Sequence, residues 1–126
     1  MPDKKIVLLV DDNEADNVYH EIILRRSDRV ADVVLKDSAS AALHYLQQPG
    51  TPWPSVILVD LNMPGMDGFA LVQELDRLSP PATCRIAMLT SSDAELDRRR
   101  AGELPLISAY LIKPLTLPVV AAMLTA

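Results

Sequence analysis

Five short apolar runs recur along the chain, at residues 6–10, 33–35, 56–59, 86–89 and 109–112. Four of them are nearly continuous, without polar alternation, which is how strands buried on both faces of a parallel sheet read. The segments between them have helical spacing. Ala15, Val18, Tyr19, Ile22 and Ile23 fall at i, i+3, i+4, i+7 and i+8, predicting a helix that buries this stripe and leaves His20 off it. Ala39, Ala42, Leu43 and Leu46 repeat the pattern, with Ser38 or Asp37 placed to cap the helix and Pro49-Gly50 to end it. Phe69, Val72, Leu75 and Leu78 form a third stripe, stopped before Pro80-Pro81. A fourth, weakly patterned segment is expected to start under a Ser92 cap and run through Ala94 and Leu96 to about Ala101, cut short by Gly102 and Pro105. Val119, Val120, Met123 and Leu124 make a short last helix, with Pro118 tolerated in its first turn.

The order is β-α repeated five times. Such alternation implies an α/β fold, with a parallel sheet, right-handed crossovers and helices on both faces. In sheets of this kind ligands sit beyond the carboxyl ends of the strands, where the strand order reverses. Four of the five expected strand ends carry polar side chains directly after an apolar run. They are Asp11-Asp12, Asp60 with Asn62 two residues on, Thr90-Ser91-Ser92, and Lys113-Pro114. A parallel sheet brings all four to one edge.

Three carboxylates then meet one lysine. Two unit charges ~4 Å apart repel by roughly 4 kcal/mol at an effective dielectric of about 20, so the cluster calls for a cation or a raised carboxyl pKa. Carboxylate oxygens with open positions suit Mg²⁺, which keeps several waters and bridges to phosphate. A lysine can hold a phosphoryl oxygen, a threonine hydroxyl can donate to another, and a carboxylate can act as the nucleophile that forms an aspartyl phosphate.

Composition narrows the function. The 126 residues suit one domain, read as spanning 1–126, and about half are apolar, enough for one core. A net charge of −5 argues against nucleic acid as a direct partner. Cys84 is the one cysteine, so no internal disulfide forms, which fits a reducing compartment. No run approaches the ~20 apolar residues of a membrane span, and the N-terminus lacks the features of a signal peptide. The chain reads as soluble and cytoplasmic.

The Asp11-Asp12 pair, the DLNMPGMDG segment at residues 60–68, the Thr90-Ser91 step and Lys113-Pro114 together resemble the receiver domain of bacterial two-component response regulators, over almost the whole chain. The resemblance implies a flavodoxin-like (βα)5 doubly wound fold with strand order 2-1-3-4-5. It implies Asp60 as phosphoacceptor, Asp12 as direct metal ligand, Asp11 as a ligand acting in part through water, and the Asn62 backbone carbonyl completing a Mg²⁺ or Mn²⁺ site. Lys113 matches the lysine that pairs with the phosphoryl group, Thr90 the switch hydroxyl, and Tyr110 the aromatic that turns inward with it. A cis Lys113–Pro114 peptide is expected on the same basis. The implied partners are a sensor histidine kinase or histidine phosphotransfer protein as donor, and a downstream protein that reads the fourth helix, fifth strand and fifth helix. Homodimerisation through these elements is left open. The 89–93 stretch and the long 47–55 loop with Pro52-Trp53-Pro54 look closest to a subgroup associated with phytochrome-type or other sensor kinases. No residues are seen for an output domain, so the chain reads either as a stand-alone receiver or as a piece of a hybrid protein.

Blander readings compete at several positions. Arg98-Arg99-Arg100 is read first as a solvated helix face and second as a docking patch. His20 and His44 lie away from the strand ends, which disfavours a phosphotransfer role. Cys84 reads as a small core or loop residue. Trp53, Met63 and Met66 read as loop packing, and Pro64-Gly65 and Asp67-Gly68 as turn chemistry. Rival functions fare worse. A phosphatase with an aspartyl-phosphate intermediate commonly places a second aspartate where this chain has Asn62. A flavodoxin-type binder would need a phosphate cradle where Asp11-Asp12-Asn13-Glu14 stands. An unphosphorylated interaction module leaves a full set of reactive residues without a purpose. The chain is therefore read as a signalling domain that catalyses only its own phosphorylation and dephosphorylation.

Overall fold

The computed structural model describes residues 5–125. Five strands alternate with five helices. In chain order they are β1 (Lys5–Val10), α1 (Glu14–Arg25), β2 (Val30–Lys36), α2 (Ala39–Leu46), β3 (Val56–Val59), α3 (Gly68–Arg77), β4 (Arg85–Thr90), α4 (Glu95–Gly102), β5 (Ile107–Ile112) and α5 (Leu117–Thr125). The sheet is parallel throughout, in the order β2-β1-β3-β4-β5, as expected.

Alternate side chains of the central strands feed two cores. Leu8, Val10, Ile57, Val59, Ile86 and Met88 face one side, under Ala42 of α2, Phe69, Val72 and Leu75 of α3 and Ala101 of α4. Val7, Leu9, Leu58, Ala87 and Leu89 face the other, under Ile23 and Leu24 of α1 and Val120 and Leu124 of α5. Each central strand is therefore buried on both faces, which is why its sequence shows no alternation. Cys84 belongs to the first core, where burial pushes its thiol up to about 11. Trp53, Met63 and Met66 pack against the same core.

The side of α1 that is buried differs from the one predicted. Ala15, Val18, Tyr19 and Ile22 point to solvent, and only Ile23 of the apolar stripe is buried. Asn17, His20 and Leu24 face inward with it; Val18 is 55% exposed and His20 only 1%. The reason is local. The Asn17 amide donates to the Asp11 carbonyl at 2.8 Å, and this polar pin turns the helix so that its inner face carries two polar residues. The helix entry is fixed by Asn13, whose side chain accepts from the Asp16 N–H at 2.9 Å.

The start of α4 also differs. Ser92 does not cap it: the helix begins at Glu95 after Ala94, which has no side chain able to cap, and the Ser92 hydroxyl donates instead to Asp97 at 2.6 Å. By contrast Ser38 caps α2 and Asp67 caps α3, each accepting from a helix N–H.

The rotated α1 is tested by stability. Leu24→Ala, at a fully buried site, should cost about 2–5 kcal/mol. Val18→Ala and Ile22→Ala should each stay within about 0.5 kcal/mol of wild type in urea denaturation. Losses of comparable size at Val18 and Leu24 would contradict the observed face.

Candidate functional site

Register brings the strand ends together. Val10 pairs with Val59, so Asp11 and Asp60 are the next residues on two adjacent strands, about 5 Å apart by the ordinary strand spacing. The ladder runs one step further, with the Asp60 N–H donating to the Val10 carbonyl at 2.9 Å. Thr90 pairs with Ile112, and the Lys113 N–H donates to the Thr90 carbonyl at 2.8 Å. Strands β1 and β3 are the neighbours between which the strand order reverses. The carboxylates therefore lie where a doubly wound sheet places its ligands.

Asp11, Asp12 and Asp60 form the one cluster of potential metal-ligating acidic, His or Cys side chains among the described residues, with one oxygen of each within 4.8 Å of the others. Asp11 and Asp60 are buried and Asp12 opens to solvent. Lys113 Nζ lies 2.7 Å from Asp11 Oδ2, 2.7 Å from Asp16 Oδ2 and 3.7 Å from Asp60 Oδ2. The other Asp11 oxygen accepts the Asn13 N–H at 3.0 Å. A cis peptide joins Lys113 to Pro114, as expected.

The electrostatics follow from this crowding. Burial first, then the Asp11 charge, pushes the Asp60 carboxyl from 3.8 up to about 6, against the pull of Lys113 and of a hydrogen bond from the Asn62 main chain. Burial pulls the Lys113 ammonium down, but its bonds to Asp11 and Asp16 and the Asp60 charge together hold it above its ordinary value. Burial, and then the Lys113 charge, holds His20 below the usual imidazole range.

Thr90 is fully buried, and its hydroxyl accepts the Ser92 N–H at 3.2 Å. The Tyr110 hydroxyl donates to the Ser92 carbonyl at 2.7 Å, and the Arg98 guanidinium lies 5.1 Å from the centre of the Tyr110 ring. Of the arginine run, Arg100 stacks over Phe69 and Arg99 pairs with Glu95, so these exposed side chains are engaged within the chain.

All seven residues singled out in the sequence lie at this edge or in contact with it. Three that matter to its geometry were not read as site residues. Asp16 holds Lys113, Asn17 pins the Asp11 backbone, and Gly68 lets the start of α3 approach Asp60. A Cβ at Gly68 would collide with the Asp60 carbonyl oxygen and sit 2.9 Å from Leu61 Cα. Its N–H donates to the Leu61 carbonyl at 2.9 Å. Two polar residues on the inner face of α1 are a signal that apolar periodicity alone does not register.

The three carboxylates are hard oxygen donors in a site that carries excess negative charge, and they fit a small divalent cation such as Mg²⁺ or Mn²⁺. Buried acid, lysine and hydroxyl around such a site can stabilise the charge of a transferring phosphoryl group.

Comparison with known proteins agrees with this geometry. A family profile described as the response regulator receiver domain matches residues 7–125, and the chain belongs to that family. Its sequence is 32% identical over 113 residues to response regulator Rcp1 of Synechocystis, covering 86% of this chain and 76% of that protein. A crystal structure of a two-component response regulator from Cytophaga hutchinsonii matches with a TM-score of 0.88 at 30% identity, covering 95% of this chain and 94% of the other. The phosphorylated cyanobacterial phytochrome response regulator RcpA matches with a TM-score of 0.78 at 28% identity, covering 95% and 89%. The Mn²⁺-bound form of Rcp1 matches with a TM-score of 0.75 at 30% identity, covering 94% and 88%.

The raised Asp60 value has a signed consequence. A carboxyl whose folded pKa lies above its unfolded one favours folding in its protonated form. In metal-free protein this contribution is present below pH 3.8 and is lost as the pH rises through about 6. Asp60→Asn should therefore be more stable than wild type at pH 7 by roughly 3 kcal/mol, and the gap should close towards pH 4. Urea midpoints measured in chelator from pH 4 to 8 check this; parallel curves for the two proteins would contradict it.

Proposed function

We propose that Asp60 is the phosphoacceptor of a signalling switch. The observation that carries this reading is a buried carboxylate beside two others, with a lysine ammonium 3.7 Å away, at the carboxyl edge of the sheet. A histidine kinase or histidine phosphotransfer protein is the donor. An Asp60 oxygen attacks the phosphorus, the P–N bond of the donor phosphohistidine breaks, and its imidazole leaves with a proton from water. The product is an acyl phosphate on Asp60.

The side chains of Asp11, Asp12 and Asp60 and the Asn62 backbone carbonyl would hold the divalent cation, which neutralises charge on the transferring phosphoryl oxygens. Lys113 pairs with one of those oxygens. Thr90 turns its hydroxyl to another, which withdraws the acceptor of the Ser92 N–H and loosens the loop that Tyr110 grips. That loop leads into α4, so the change reaches the surface formed by α4, β5 and α5, where a downstream protein reads it. The chain acts on its own aspartate and not on an external substrate.

Exposed Val18, Tyr19 and Ile22 on α1, with Leu117 at the start of α5, offer the donor an apolar docking face beside the site. Among the described residues no helix is long and apolar enough to cross a membrane. We place the receiver in the cytoplasm with the donor domain of its kinase. The likeness to a phytochrome response regulator supports a photoreceptor-type or other sensor kinase.

Intact mass after incubation with acetyl phosphate tests the reading. Wild type should gain one phosphoryl unit with Mg²⁺ and none in chelator, and Asp60→Ala should gain none. A gain that persists in Asp60→Ala would move the acceptor elsewhere. No gain in folded wild type with the metal would remove the switch function.

A further inference from the structure

We propose that Asp16 is a positioning residue for Lys113, holding the ammonium aside until a phosphoryl group on Asp60 draws it away. The inference rests on the reading of Asp60 as acceptor. Lys113 Nζ makes two short contacts, at 2.7 Å to Asp11 and 2.7 Å to Asp16, whereas Asp60 at 3.7 Å lies beyond hydrogen-bond reach. Two of its three donors are thus taken by carboxylates other than the acceptor.

The two holds are not equivalent. Asp11 belongs to the carboxylate cluster and its side chain is 1% exposed. Asp16 stands outside that cluster, on the first turn of α1, with its side chain 37% exposed. It is the partner that can turn to water when Lys113 leaves. Its backbone is nonetheless fixed on both sides. Its own N–H donates to Asn13, and the neighbouring Asn17 amide donates to the Asp11 carbonyl. The contact is thus a placed one, set by the same pin that turns α1.

A phosphoryl group on Asp60 presents three strong acceptor oxygens and up to two negative charges. For Lys113 to reach one of them, it exchanges Asp16 for that oxygen. Asp16 therefore competes with the phosphoryl group for a single cation, and its carboxylate sets how readily the site accepts a phosphoryl mimic.

Beryllofluoride, which mimics a phosphoryl group on an aspartate, tests this by calorimetric titration at saturating Mg²⁺. Asp16→Asn should bind it about two- to fivefold more tightly than wild type, the range expected for losing one partly exposed ion pair. Asp16→Glu, which keeps the charge, should return towards wild type. In a Lys113→Gln background the Asp16→Asn change should have no effect. In metal-free protein the Lys113 Nζ resonance should shift in Asp16→Asn. Equal or weaker binding by Asp16→Asn would overturn the proposal. A gain of the same size without Lys113 would also overturn it, by making the effect one of distant charge. Wild type that is folded, holds Mg²⁺ and fails to bind beryllofluoride would instead remove the acceptor reading on which the proposal stands.

Discussion

Like charges crowded at the end of a buried sheet are the constraint around which this molecule is arranged. Asp11 and Asp60 stand side by side because Val10 and Val59 pair, and both carboxylates are buried at the end of the apolar strands. Burial, and then their repulsion, raises the Asp60 carboxyl, and Lys113 is drawn in beside them, bonded to Asp11 and Asp16 with Asp60 3.7 Å away. The surrounding devices serve to hold this edge rigid. Asn17 ties α1 to the Asp11 backbone, Asp67 caps α3, and Gly68 allows that helix to start against the Asp60 carbonyl. A site so charged has a ready use for a divalent cation and for a group that spreads negative charge in front of a lysine.

The coupling outward runs through a less stable element. In α4 only Ala101 is buried, so little apolar burial fixes the helix. It is held mainly by polar and ring contacts: Asp97 to the Ser92 hydroxyl, Arg98 over Tyr110 and Arg100 over Phe69. Ser92 is bound at three points, by its N–H to Thr90, by its carbonyl to Tyr110 and by its hydroxyl to Asp97. A displacement of the Thr90 hydroxyl therefore acts on the attachment of α4. Elements with few buried apolar contacts are those that small free-energy changes can shift.

Much of this was legible in the amino-acid order. Continuous apolar runs marked the buried strands, and the alternation of elements implied the parallel sheet. The polar residues directly after four of the five runs pointed to the candidate site, since position after a strand fixes position at the edge. Resemblance to the receiver family supplied the strand order and the cis proline that the pattern could not. The failures share one cause. Apolar periodicity on α1 pointed to Val18, Tyr19 and Ile22, but hydrogen bonding by Asn17 turned the helix the other way. Ser92 looked like a helix cap, yet its hydroxyl found a side-chain partner within the helix. Asp16 carries no signal in the local pattern, because its tie to Lys113 spans 97 positions of sequence. In each case a specific polar contact, two of them within six residues and one across the fold, decided what apolar periodicity and cap preference could not.

The central claim is that Asp60 carries the phosphoryl group as a mixed anhydride, and reductive mapping tests it most directly. Borohydride converts an aspartyl phosphate to homoserine and leaves free carboxylates intact. Peptide sequencing by mass after phosphorylation and reduction should find homoserine at position 60 and aspartate at positions 11, 12 and 16. Homoserine at another position, or a phosphorylated protein that yields none, would contradict the account.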